Sequence, residues 1–158
     1  MDSHIDEQKR LQLLWIHIHH VEDNCKIIAD ALIHNSEFEL AKELMRNAHI
    51  HDASKFEGIE WEHLNGWRDP LFPEAIKHHV TTNPHHPEYW GSIHEMKRIY
   101  IPEMISDWSA RNSEMRTTKS LIQWIEEEAT QRYNFSPTDK IYKEIYHFLN
   151  LLLEPAFT

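Results

Sequence analysis

An all-α fold is expected, a compact single-domain bundle of six to seven helices. Three observations predict it. Apolar residues recur at spacings of three and four along most of the chain, while alternating apolar and polar runs are nearly absent. Only three glycines occur in 158 residues, and turn signals are few and well separated. Hydrophobic residues make up 41% of the chain, with six Trp, six Phe and five Tyr, enough for one sizeable core at this length.

The first helix is expected over about Glu7 to Ile33, because Leu14, Ile18, Val21, Cys25, Ile28 and Leu32 form one stripe. His34-Asn35 ends it. Ser36 and Glu39 read as a capping box opening a second helix to about Ile50, with Phe38, Ala41, Leu44, Met45 and Ala48 inward. A short helix is expected over Phe56–Leu64, broken by Asn65-Gly66. Pro73 suits the first turn of a helix reaching about Thr82. Asn83 to Gly91 holds two prolines and a glycine and reads as an irregular loop. Pro102 reopens a helix through Met104, Ile105 and Trp108 to about Asn112. Another is expected from Thr118 to Tyr133, burying Leu121, Ile122, Trp124 and Ile125. Ser136-Pro137 reads as an N-cap and first turn for a last helix with Ile141, Ile145, Phe148 and Leu152 inward. Leu149, Leu151, Leu152 and Leu153 crowd its end, which leaves room for a homodimer. No repeat or long linker divides the chain.

The net charge of −10 argues against general nucleic-acid binding, which needs a basic face. A small phosphorylated ligand stays open, because a metal ion inverts the local field. A single cysteine, Cys25, allows no intrachain disulfide and fits a reducing, cytoplasmic setting. The start, Met1 to Glu7, lacks the basic-then-apolar pattern of a signal peptide, and no apolar run reaches a membrane span.

Fourteen histidines are the outstanding compositional feature, and they cluster. On the first helix, at about 100° per residue, His17 lies roughly 60° from the centre of the apolar stripe, His20 roughly 120° and His19 roughly 140°. His17 therefore faces a semi-buried site, His19 faces solvent and His20 is intermediate. The second helix continues at helical spacing onto His51 and Asp52, and a carboxylate there is costly to bury unless paired or bound to a metal. His79 follows Ala75 by four residues, again on an inward face, while His78, His85 and His86 stand close by. Asp107 flanks a buried stripe three residues after Met104. Imidazole with carboxylate is the ligand chemistry of divalent transition metals such as Fe, Mn, Co, Ni or Zn. A helical His, a His-Asp pair, further histidines and a later Asp together point to a metal centre.

That ordered set resembles the HD superfamily of metal-dependent phosphohydrolases. The runs His51-Asp52-Ala53-Ser54-Lys55-Phe56, Asn83-Pro84-His85-His86-Pro87-Glu88-Tyr89-Trp90 and Glu103-Met104-Ile105-Ser106-Asp107-Trp108 are similar to short HD-type domains found in phages and bacteria. The resemblance spans roughly residues 10 to 112. It implies His17 as the first ligand with His20 in reserve, and His51-Asp52 as the central doublet with Asp52 bridging two metal ions. It further implies His79 and one or both of His85 and His86 as additional ligands, and Asp107 as the last. His85 and His86 follow His79 by only six and seven residues, closer than in many binuclear members.

The implied activity is hydrolysis of a nucleotide or other small phosphoester by metal-activated water. In it Asp52 orients the water, Lys55 meets a phosphate oxygen and Glu103 supports a ligand histidine. Tyr89, Trp90 and Trp108 read first as core aromatics and otherwise as candidates for the pocket wall. Two alternatives share the ligand set: an HD-type di-iron oxygenase, and a non-catalytic metal-binding helical protein.

Overall fold

The computed structural model describes residues 3–115 and 118–154. Seven helices account for most of these residues, and no strand occurs among them. They are α1 (Ser3–His34), α2 (Phe38–His49), α3 (Gly58–His63), α4 (Phe72–Thr82), α5 (Ile101–Glu114), α6 (residues 121–133) and α7 (Lys140–Leu153). Short 3-10 turns cover Ala53–Phe56, Pro87–Trp90, Ile93–Glu95 and Arg98–Tyr100.

The core forms where α1 packs against α2, α5 and α7, with α5 also against α7. Val21, Cys25, Ile28 and Leu32 supply the α1 stripe, meeting Leu44, Met104, Ile105, Ile145, Phe148 and Leu149. The first two turns of α5, Ile101 to Asp107, are buried on every side. Such a helix lies inside the bundle, and any polar side chain on it needs a partner. No helix among the described residues is long and apolar enough to cross a membrane.

Several expected details are corrected. Ser36 caps no helix; it adopts φ 64° and closes α1 instead. The Glu37 N–H donates to Leu32 O at 2.8 Å and the Ser36 N–H to Ile33 O at 3.0 Å, a Schellman closure that takes Ser36 out of the N-cap position. The buried face of α2 is Ala41, Leu44, Asn47 and Ala48, which leaves Phe38 and Met45 on its flanks, 59% and 54% exposed. The short helix near residue 60 is split, because Glu57 is extended between the 3-10 turn and α3. Ile122 is exposed, since the inward face of α6 is Leu121, Ile125 and Ala129. The cap of α6 is the box Ser120/Gln123. Ser136 does not start α7: its N–H donates to Asp139 Oδ2 at 2.7 Å, and this turn delays the helix to Lys140. At the end of α7, Leu149 and Leu152 pack inward, Leu151 is half-buried and Leu153 is exposed.

Cys25 is 1% exposed, and burial pushes its thiol up to about 12. The native protein is therefore expected to stay unreactive toward a disulfide-exchange reagent at pH 8, and the unfolded chain to react fully. Rapid labelling of the native fold would contradict the packing of α1.

Candidate metal centre

Four parts of the fold converge beside the first turns of α5. His17 projects from the flank of the α1 stripe and is buried. His51 and Asp52 lie just past the end of α2, which stops at His49, so they sit in the turn rather than on the helix. Asp52 has φ 56°, a left-handed conformation that Asp tolerates better than most residues, and its carboxylate points into the bundle at 1% exposure. His79 comes from the inward face of α4. Asn83, extended before Pro84, stops α4, and the chain then turns back to carry His85 and His86 inward. Glu103 and Asp107, one turn apart on α5, complete the set.

The two oxygens of Asp52 divide the histidines into two groups. Oδ1 lies 3.3 Å from the Nε2 atoms of both His79 and His85. Oδ2 lies 3.3 Å from His51 Nε2, 3.5 Å from His17 Nε2 and 3.0 Å from Lys55 Nζ. Asp107 straddles the same division, with Oδ1 3.0 Å from His17 Nε2 and Oδ2 3.6 Å from His85 Nε2. Two sets of converging ligand atoms result: Asp52, His79, His85 and His86, and beside them His17, His51 and Asp107. A third, His51, His85 and Glu103, overlaps them. Either of the first two has the residue types and spacing to hold a metal ion.

Four of the inward imidazoles, those of His17, His51, His79 and His85, are held from behind by a carboxylate. His17 Nδ1 donates to Glu114 at 2.9 Å, His51 Nδ1 to Glu103 at 2.7 Å and His79 Nδ1 to Glu60 at 2.6 Å. His85 Nδ1 stands 3.0 Å from the same Glu103 oxygen. With the proton kept on Nδ1, the Nε2 lone pair of each ring would face inward once a metal ion replaced the second proton, as in carboxylate–histidine–metal arrangements. Seven of the nine buried side-chain atoms found without a hydrogen bond among the described residues belong to this cluster. They are Nε2 of His17, His51, His85 and His86, both oxygens of Asp52, and Asp107 Oδ1. So many such atoms gathered at one point are compatible with a shared metal ion, because buried polar atoms are usually paired.

The charge states show how tightly these groups are coupled. Burial acts against ionised Asp52, but His51 and Lys55 outweigh it and hold the carboxyl well below its usual range. Asp107 is likewise held low, with His17, His51 and His85 overcoming burial. Burial works to lower His51, yet Asp52, Asp107 and Glu103 raise it well above its ordinary value. His85 is raised to about 10 against both burial and the charge of His51, by Glu103, Asp107 and Asp52. His86 goes the other way, lowered by burial and by His85, and stays neutral. Imidazolium protons balance the buried carboxylates here, and metal ions would supply that positive charge in their place.

His79, rather than His78, reaches Asp52; His78 is half exposed and binds Glu60 Oε2 from outside at 2.6 Å. His20 stays outside, its Nδ1 3.5 Å from Glu114, and His19 faces solvent. Tyr89 and Trp90 do not wall the site: Tyr89 is exposed, and the Trp90 indole donates to Pro84 O at 2.9 Å and packs on Tyr100. Trp108 lines a cavity of about 510 Å³ that opens beside His86, Asp107 and Lys55.

Sequence reasoning missed two supports. Glu60 is fully buried and takes Ser54 Oγ at 2.8 Å besides His78 and His79. It sits in a six-residue helix too short to show a period. Glu114 continues the Glu103–Asp107 spacing two turns further along α5, a signal that was available.

No curated protein and no solved structure shows significant similarity to this chain. The match that does extend along nearly the whole fold, over residues 6–154, is to the Family of unknown function (DUF5662), and the chain belongs to that family.

Proposed function

We propose that the protein is a binuclear metal-dependent phosphohydrolase of the HD type, acting on a nucleotide or other small phosphoester. The observation that carries this is the division of the Asp52 oxygens between His17/His51 and His79/His85. A carboxylate so placed is suited to bridge two ions. Divalent metals, when bound, polarise a phosphoryl oxygen and bring the pKa of a coordinated water toward neutrality.

The chain's own residues do the rest. Asp52 faces both ligand groups and orients the attacking water. Lys55 Nζ, held by Asp52 and lining the adjoining cavity, meets a phosphate oxygen as a point charge. Glu60, Glu103 and Glu114 fix the imidazole orientations through their Nδ1 protons. A lysine at this point favours an anionic substrate.

The test is phosphate release from a panel of nucleotides and simple phosphoesters by protein loaded with Mn, Fe, Co, Ni or Zn. Activity that is lost on chelation and returns with metal supports the reading. Iron at about two per chain, with oxygen consumption and no phosphate release from any phosphoester, would replace it with an oxygenase.

A further inference from the structure

Beyond the metal cluster, the cavity is built by α5 and α6, and α6 lies outside the stretch that carries the HD resemblance. Its walls include Trp108, Trp124 and Tyr133. Trp108 and Tyr133 are parallel within 10°, and Trp124 meets Trp108 edge-on at 5.1 Å. All three are half-buried, so each packs on the core and still offers surface to the cavity. Four of the chain's 16 lysines and arginines line this one cavity in an otherwise acidic protein: Lys55, Arg111, Lys119 and Arg132. Of the three lining carboxylates, Asp107 belongs to the metal cluster, Glu128 is paired with Lys119 at 2.9 Å, and Glu88 stands beside Tyr133 with one buried oxygen lacking a hydrogen bond. Arg111 and Arg132 are exposed and stand at the rim.

The helix geometry brings these groups together. From Trp124, a regular α-helix at about 100° per residue would carry Arg132 roughly 80° and Tyr133 roughly 180° away. Instead α6 is interrupted by a π-helical stretch, Ile125–Ala129. The extra residue in that turn sets the following residues back by about 100°. Arg132 then falls roughly 20° from Trp124 and Tyr133 roughly 80° from it. Both line the same cavity as Trp124, as this rotation requires. π turns of this kind are frequent at functional sites.

From this we infer that the cavity binds the non-reacting part of the substrate: a flat aromatic group on Trp108, Trp124 and Tyr133, with a second anionic group at Arg111 and Arg132. The inference rests on the phosphohydrolase reading for the end of the substrate that reaches the metals. It makes Trp124 and Arg132 specificity-determining residues.

Three phosphonates, which carry a carbon–phosphorus bond and resist hydrolysis, separate the contributions: methylphosphonate, phenylphosphonate and 4-carboxyphenylphosphonate. Their binding to the full-length, metal-loaded protein is measured by calorimetry. The ring is expected to improve affinity about tenfold and the carboxylate a few-fold more. Arg132→Gln, at an exposed position, is expected to remove the advantage of the carboxylate and keep that of the ring. Trp124→Leu is expected to remove the advantage of the ring. Metal content and phosphate release are read on the same samples. A ring preference that survives chelation and depends on Trp124 upholds this site even where hydrolysis is absent. A metal-loaded, phosphate-releasing protein that binds the three probes alike, or whose preferences neither variant alters, overturns it.

Discussion

Under the proposed function, Asp52→Asn is expected to cut phosphate release by about a thousandfold, because metal ions held by Asp52 would contribute several kcal/mol of transition-state stabilisation. Asparagine is the right replacement here. Residue 52 is left-handed, with φ 56°, a conformation that Asn adopts readily and Ala does not. The variant therefore keeps the turn after α2 and the volume of the side chain, while removing the charge that faces His17, His51, His79, His85 and Lys55. Metal content is expected to fall with the activity. A folded Asp52→Asn protein, judged by circular dichroism, with wild-type metal content and rate would remove Asp52 from the centre.

Glu103→Gln comes next, through the protons it controls. One Glu103 oxygen lies 2.7 Å from His51 Nδ1 and 3.0 Å from His85 Nδ1. As an ionised acceptor it keeps a proton on Nδ1 of both rings, so each Nε2 would be the atom to lose its proton and present a lone pair to a metal ion. A glutamine has one acceptor and one donor. An amide N–H directed at either Nδ1 reverses that tautomer and puts a proton on the Nε2 atom needed as a ligand. Loss of such a supporting partner typically costs about 10–100-fold in metal affinity. A competition titration against a chromophoric chelator measures it. Unchanged affinity would mean that the carboxylate serves packing alone.

The sequence was legible where physics is periodic. The α1 stripe, the inward face of α7 and the inward positions of His17 and His79 all follow from 3.6-residue spacing. The His51-Asp52 pair was placed on the right side of the fold, although the helix ends two residues short and a left-handed turn does the aiming. Non-periodic features stayed hidden. His85 and His86 are oriented by a loop between two prolines, and spacing could not separate their roles. Ser36 suits an N-cap by type better than a left-handed closure, yet the hydrogen bonds to Leu32 and Ile33 place it in the closure. Glu60 carries no pattern because α3 is too short to show one. The aromatic cavity depends on a π turn that composition does not announce; of the aromatics singled out, Trp108 lines it, whereas Trp90 packs against the core and Tyr89 is exposed.

The most direct test of a binuclear centre is elemental analysis of the purified protein, joined to anomalous scattering from its crystals. About two transition-metal ions per chain are expected. One ion should lie between Asp52, His17, His51 and Asp107, and the other between Asp52, His79 and His85 or His86. Protein prepared at neutral pH with these metals supplied, yet showing no anomalous peak within bonding distance of Asp52, would contradict the account.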